Sequence, residues 1–251
     1  MKWLEKTQEI VIFSTHGKNK MKVIILAGGK GTRIPEYTGL IPKPMVPIGS
    51  KPIIEHIIDY YIKYGFKDFI IASGYKHQVI NNYFKNKKKN ASIKIINTGV
   101  ETLTGLRLKK LSNQLDQTFM LTYGDGLSNV NLKKLLNFHK KSKKKITLTA
   151  VHPPARFGEL SISRGVVTSF KEKPQLQKGW INGGFFVIEP EFLKFIENKN
   201  IMLERSPLTK AVKTKNLAAY KHNDFWFCMD TLRDKKVLDL MIKTKKSPWL
   251  K

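Results

Sequence analysis

Residues 22–27, KVIILA, form an unbroken apolar run with adjacent β-branched side chains that ends at Gly28, Gly29 and Gly31. A strand that is apolar on both sides of the pleat has to be buried on both faces, as in a parallel sheet covered by helices. The same signature returns in DFIIAS (68–73), SIKIIN (92–97) and TFMLTYGDG (118–126). Between these runs Ile53, Ile54, Ile57, Ile58, Tyr61 and Ile62 recur at helical spacing, with Gly65 placed to close the helix. HQVINNYF, LRLKKLSNQL and NLKKLLNFHKK read as further helices. Strand and helix alternating in this order predict an α/β fold, a mostly parallel sheet with helices on both faces. After ITLTAV (146–151), the segments GELSIS, GVVTSFKEK and GGFFVIEP are expected to form a small antiparallel addition over one end of the sheet. A last strand, DFWFCMD, leads into the helix TLRDKKVLDLMIKT.

Charge and cysteine content limit the function classes. The net charge of +27 suggests nucleic acid, yet arginine occurs only at 33, 107, 156, 164, 205 and 233, so forty of the 46 basic residues are lysine. Base readers favour the planar guanidinium fork. The densest clusters, KNKKKN (85–90) and KKSKKK (140–145), have no interleaved aromatics on which bases could stack, and they read as solvated surface. No specific nucleic-acid partner is expected. The single cysteine, Cys228, excludes an internal disulfide and reads as a small apolar residue in a strand. No apolar run approaches the ~20 residues of a membrane span, and no membrane partner is expected. Residues 1–20 lack the apolar core and cleavage site of a signal peptide and read as an extension with no assigned role. Together these features predict a cytoplasmic protein.

Glycines at 28, 29 and 31 let the backbone approach a ligand and turn its N–H groups inward as an anion nest. The spacing is neither that of a Walker loop nor that of a dinucleotide fingerprint, which would need glycine at Ile34. Arg33 adds a bidentate phosphate donor, and Lys43 stands between two prolines that restrict its backbone. Two fixed cations beside a glycine nest suit a triphosphate. Asp125 and Asp230 each follow a predicted strand and could converge above one sheet edge. Taken alone, Asp125 reads as a turn residue and Asp230 as a helix cap; with the phosphate loop, the pair reads as a Mg²⁺ site. No serine elbow is present, and the histidines show no ligand spacing, His56 and His139 reading as structural. Such a site suits a reaction whose attacking group is already an anion. A sugar 1-phosphate is one, its second pKa being about 6.

ILAGGKGTR, PKPM, TLTGLRL, MLTYGDG, EKP, WINGGFFVIEP and FWFCMDTLRDK, in this order, resemble the sugar-1-phosphate nucleotidyltransferases, nearest to their glucose-1-phosphate cytidylyltransferase branch. The resemblance runs from Met21 to about Trp249. It implies a Rossmann-like nucleotidyltransferase domain over 21–251 and transfer of a cytidylyl group from CTP to glucose 1-phosphate, giving CDP-glucose and pyrophosphate. UTP or dTTP, or another sugar 1-phosphate, remain alternatives, as does a basic nucleic-acid-binding or regulatory protein on the same fold. Carried over by position, Leu26, Ala27, Gly28, Gly29, Gly31, Thr32 and Arg33 would wrap the nucleotide phosphates with Lys43, and Gly105 and Arg107 would lie near the base. Asp125 and Asp230 would hold Mg²⁺, Glu172 and Lys173 would meet the sugar and its phosphate, and Asn182 and Gly183 would line the sugar pocket. Arg33, Lys43 and Lys173 would be the catalytic cations. The resemblance also implies a homo-oligomer that feeds deoxysugars into surface polysaccharide. The chain departs from the branch in its short 85–92 loop, in Leu106 beside the expected base pocket, and in Pro47.

Overall fold

The computed structural model describes residues 10–12, 21–85, 87–154, 158–171 and 179–251. The first half runs β1 (Ile10–Ile12), β2 (Lys22–Ala27), α1 (Pro35–Thr38), β3 (Pro47–Ile48), β4 (Lys51–Pro52), α2 (Ile53–Lys63), β5 (Asp68–Ser73), α3 (His77–Lys85), β6 (Ser92–Asn97) and α4 (Thr104–Lys109). The second runs β7 (Phe119–Tyr123), β8 (Gly126–Ser128), α5 (Leu132–Ser142), β9 (Ile146–Val151), β10 (Glu159–Ser163), β11 (Val166–Lys171) and β12 (Ile181–Ile188). It closes with α6 (Ser206–Lys213), β13 (Leu217–His222), β14 (Trp226–Cys228) and α7 (Leu232–Lys243).

The main sheet has the order β1-β6-β5-β2-β7-β12-β9-β13. β2 lies parallel to both β5 and β7, and β5 parallel to β6. Within β2, Val23 and Ile25 enter one hydrophobic core while Ile24 and Leu26 enter the other. The alternation explains the continuous apolar run: each face of the pleat has its own layer of helices to meet. Ile53, Ile57 and Ile58 of α2, Ile80 and Phe84 of α3, and Leu238 of α7 fill the first core. Leu108, Phe192, Leu208 and Ala211 fill the second. At the end of α2, Gly65 takes φ +90 and its N–H reaches the Ile62 carbonyl at 2.8 Å, which closes the helix as expected.

Two placements differ from the sequence reading. GGFFVIEP does not cover an end of the sheet: as β12 it lies inside it, antiparallel to β7 and to β9. Its long apolar run is buried on both faces, so the position is the one its composition demands. DFWFCMD is not a main-sheet strand: β14 pairs antiparallel with β8 in a separate ribbon. Of the three expected additions only β10 and β11 remain apart, as a hairpin. Within the extension, β1 pairs antiparallel with β6 at the sheet edge.

The lysine cluster at 85–90 is also partly structural. Lys87 and Lys89 hold the Glu55 carboxylate at 3.1 and 2.7 Å, and Lys89 also reaches Asp59 at 2.5 Å. Glu55 is 1% exposed. Burial raises its pKa, but hydrogen bonds from Lys89, Tyr83 and Lys87 reverse the effect and bring it down to about 2. A depressed carboxyl contributes stability that is present above its unfolded value of 4.5 and lost as pH falls toward 2. Glu55→Gln is therefore expected to cost up to about 3 kcal/mol at neutral pH, with the gap to wild type closing on acidification. Urea denaturation from pH 7 down to about pH 3 measures this, and a gap that does not depend on pH would exclude the mechanism.

Candidate active site

β2 delivers the glycine loop to the carboxyl end of the parallel strands, where ligands of such sheets bind. A side chain at Gly28 would place its Cβ 1.9 Å from the Arg107 guanidinium, so any larger residue would have to displace that buried group. Gly31 has φ +66, and a Cβ there would meet Lys43 Cβ at 2.7 Å. Gly29 has nothing within 4 Å of the corresponding position and faces open space. Leu26, Ala27, Gly28, Gly29, Gly31 and Arg33 all line one cavity of about 460 Å³, and Thr32 is exposed outside it.

Lys43 sits in a short 3₁₀ turn between Pro42 and Pro44 and is 7% exposed. Its Nζ donates to Asp125 Oδ2 at 2.5 Å and to Asp230 Oδ1 at 2.7 Å. Arg33 Nη1 donates to the other Asp230 oxygen at 2.7 Å. Burial alone would lower the Lys43 pKa, but the Asp125 charge and the carboxylate hydrogen bonds outweigh it and hold it above its ordinary value. Burial likewise opposes ionisation of Asp230, and Lys43 and Arg33 reverse this and hold its carboxyl below the usual range. Thr231, not Asp230, caps α7 through a reciprocal box with Asp234, which leaves the Asp230 carboxylate to the site.

The carboxylates meet by a route other than a shared parallel edge. Asp125 stands between β7 and β8, and Asp230 follows β14. The β8–β14 ribbon places Cys228 opposite Gly126, and Met229 N donates to the Asp125 carbonyl at 3.0 Å. Trp226, Cys228 and Asp230 therefore line the cavity together. The thiol of Cys228, read from sequence as packing, stands beside both carboxylates, and burial pushes its pKa up. Alternation along the strand from Trp226 to Asp230 was the available signal.

Arg107 is 2% exposed. Its guanidinium donates to the carbonyls of Ser73 at 2.7 Å, Gly99 at 3.1 Å and Thr102 at 2.5 Å, and to the Thr98 hydroxyl. It thus ties the loops after β5 and β6 together beneath Gly28, and burial brings its pKa down to about 10. Gly105 lies outside the cavity lining, its N–H donating to the Ile201 carbonyl at 3.0 Å. Leu106 is likewise absent from the lining; Thr102, Leu103, Thr104 and Met202 form that wall.

The register of β12 on β9 shifts between Asn182 and Phe186, and this irregularity sets Asn182 at the cavity. Its Nδ2 donates to the Tyr123 hydroxyl at 3.4 Å, and that hydroxyl donates to Glu204. Gly183 lies behind it and accepts Trp226 Nε1 at 2.7 Å. Tyr123, Trp226 and Met202 were not singled out from sequence, because bulky apolar residues carry no spacing signal of their own. Glu172 and Lys173 lie outside the described residues. His56 bonds the Ile48 carbonyl, and His139 bridges Thr147 and Glu189, both in packing roles.

The nucleotidyl transferase family profile matches residues 22–231. A glucose-1-phosphate cytidylyltransferase of Salmonella typhi is 42% identical, over 91% of this chain and 98% of the relative. A D-glycero-alpha-D-manno-heptose 1-phosphate guanylyltransferase of Campylobacter jejuni is 35% identical, over 67% of this chain and 76% of its own. Among solved structures, apo UDP-glucose pyrophosphorylase superposes with a TM-score of 0.71 at 16% identity, over 91% of this chain and 100% of that one, a likeness of fold. With the motifs in order and the profile covering most of the sheet, this chain belongs to the nucleotidyl transferase family.

Proposed function

We propose that this chain transfers the cytidylyl group of CTP to glucose 1-phosphate, giving CDP-glucose and pyrophosphate. The observation that carries this reading is the Lys43 ammonium held between Asp125 and Asp230 in the cavity that the glycine loop also lines. The 42% identity to a cytidylyltransferase over nearly the whole of both chains supports the choice of substrates.

An oxygen of the sugar phosphate bonds to the α-phosphorus of the nucleotide as the bond from that phosphorus to the bridging oxygen breaks, and pyrophosphate leaves. No protein nucleophile is required, because the attacking oxygen is already anionic. The work falls to in-line placement and charge neutralisation. Gly28, Gly29 and Gly31 offer backbone N–H groups to the phosphates, and Arg33 swings from Asp230 to the triphosphate. Arg107 holds the floor of that loop. Glu172 and Lys173 meet the sugar and its phosphate, and Asn182 orients the sugar from the β12 side.

The donor set suits a divalent metal, for which we assign Mg²⁺. The two carboxylates already share one cation, the Lys43 ammonium standing in the place of an ion. Carboxylate oxygens are the ligands that hard cations prefer. Asp125 and Asp230 would hold it, and when bound it neutralises triphosphate charge. Among the described residues no helix is long and apolar enough to cross a membrane.

Pyrophosphate release tests the proposal, with glucose 1-phosphate, Mg²⁺ and CTP, UTP, dTTP, ATP or GTP in parallel. Release with CTP at least about tenfold faster than with any other nucleotide is expected, a discrimination of about 1.4 kcal/mol. Preference for another triphosphate would overturn the cytidylyl assignment, and silence with all five would overturn the reaction with this sugar phosphate.

A further inference from the structure

The wall of the cavity carries a donor that the proposed reaction does not use. Cys228 Sγ and one oxygen from each of Asp125 and Asp230 all lie within 4.8 Å of one another. The arrangement is set by backbone, since Cys228 is paired to Gly126 in the ribbon and Met229 N is bonded to the Asp125 carbonyl. Cys228 also lines a second cavity of about 560 Å³, which shares Trp226 and Asp230 with the first. Two carboxylates alone favour hard ions. A sulfur donor added to them shifts the preference toward zinc, cobalt and cadmium. Three protein ligands with a fourth position left to water is an ordinary arrangement for zinc.

We propose that Cys228, Asp125 and Asp230 form a three-donor centre for thiophilic divalent cations, which compete with the hard ion for the carboxylate pair. The inference rests on the reading of Asp125 and Asp230 as metal ligands and adds the thiol to them. On binding, the S–H bond breaks, a sulfur–metal bond forms and the proton leaves to solvent, with no change of oxidation state. Lys43 withdraws from between the carboxylates and remains an ammonium. The consequence is a protein whose metal occupancy responds to zinc at concentrations where a purely carboxylate site stays with the hard ion.

Cobalt(II) titrated into the nucleotide-free full chain tests this by absorption. A thiolate-to-cobalt charge-transfer band in the near ultraviolet is expected, saturating at one ion per chain. The chain has one cysteine, so the band can belong only to Cys228. Zinc should displace it at far lower concentration than magnesium. Cys228→Ser, checked for folding by thermal melting, should abolish the band and weaken zinc binding about tenfold or more. Absence of the band in the wild type, or equal zinc affinity in both proteins, would overturn the proposal. So would a band of full intensity in both Asp125→Asn and Asp230→Asn. Failure here with turnover still dependent on Asp125 would leave the nucleotidyltransferase reading standing. A band in the wild type, weakened in Asp125→Asn while that variant keeps normal turnover, would support the centre and count against the reading instead.

Discussion

Asp125→Asn is expected to lower turnover about 10³-fold or more while leaving the fold intact. The change is close to isosteric. The backbone carbonyl of residue 125 keeps its bond from Met229 N, so the ribbon that carries Asp230 and Cys228 stays in register. What is lost is one of the two negative charges that share the Lys43 ammonium. An asparagine oxygen can still accept from Lys43, but it cannot supply the charge that a divalent ion and the triphosphate require to be brought together. Steady-state pyrophosphate release with CTP and glucose 1-phosphate gives kcat, and a thermal melt separates chemistry from folding. A kcat within about threefold of wild type would remove Asp125 from the machinery, since a lost metal ligand accounts for several kcal/mol.

The parts of this molecule that were legible in the sequence are those where one local pattern has one physical meaning. KVIILA and DFIIAS had to be two-faced strands, and they sit side by side at the sheet's centre. The convergence of Gly28, Gly29, Gly31, Arg33, Lys43 and the two aspartates was readable because phosphate and metal chemistry, the expectation that singles them out, needs few residue types, and all seven positions line a single cavity. Partnering was not readable. GGFFVIEP announces a buried strand, but nothing in it states that its neighbours are β7 and β9 or that it runs against both. β13 is not legible in the sequence because it is an edge strand, largely half-exposed, and so lacks the apolar run of the others. Lys87 and Lys89 read as solvent-facing since their partner, Glu55, lies on α2, about thirty residues earlier. Alternation along the strand sets Cys228 on the same side as Asp230, but its approach to Asp125 depends on the pairing of β14 with β8, which no local pattern states.

Lys43→Met should lose most turnover and also change how the protein answers to metal. The substitution keeps the apolar stem and removes the ammonium, leaving Asp125 and Asp230 facing each other across the space it filled. Their side chains are 23% and 15% exposed, so the penalty lies between that of a surface pair and that of a sealed one, about 2 kcal/mol without metal. The pH dependence follows from the sign of the Asp230 shift. In the wild type its carboxyl is held below 3.8, so it contributes stability above that value which is lost as pH falls through it. In the variant most of this contribution disappears, and the stability difference between the two proteins should shrink in acid. A divalent ion should reverse the loss at neutral pH, since it takes the place the ammonium left without having to displace it. Melting temperature measured with and without Mg²⁺ should therefore rise more in Lys43→Met than in the wild type. Equal increments would mean that the ammonium and the ion do not compete for the same carboxylates. The larger increment, paired with poor turnover, would separate the two roles: metal alone restores the fold of the site, while Lys43 is required for neutralising charge during transfer.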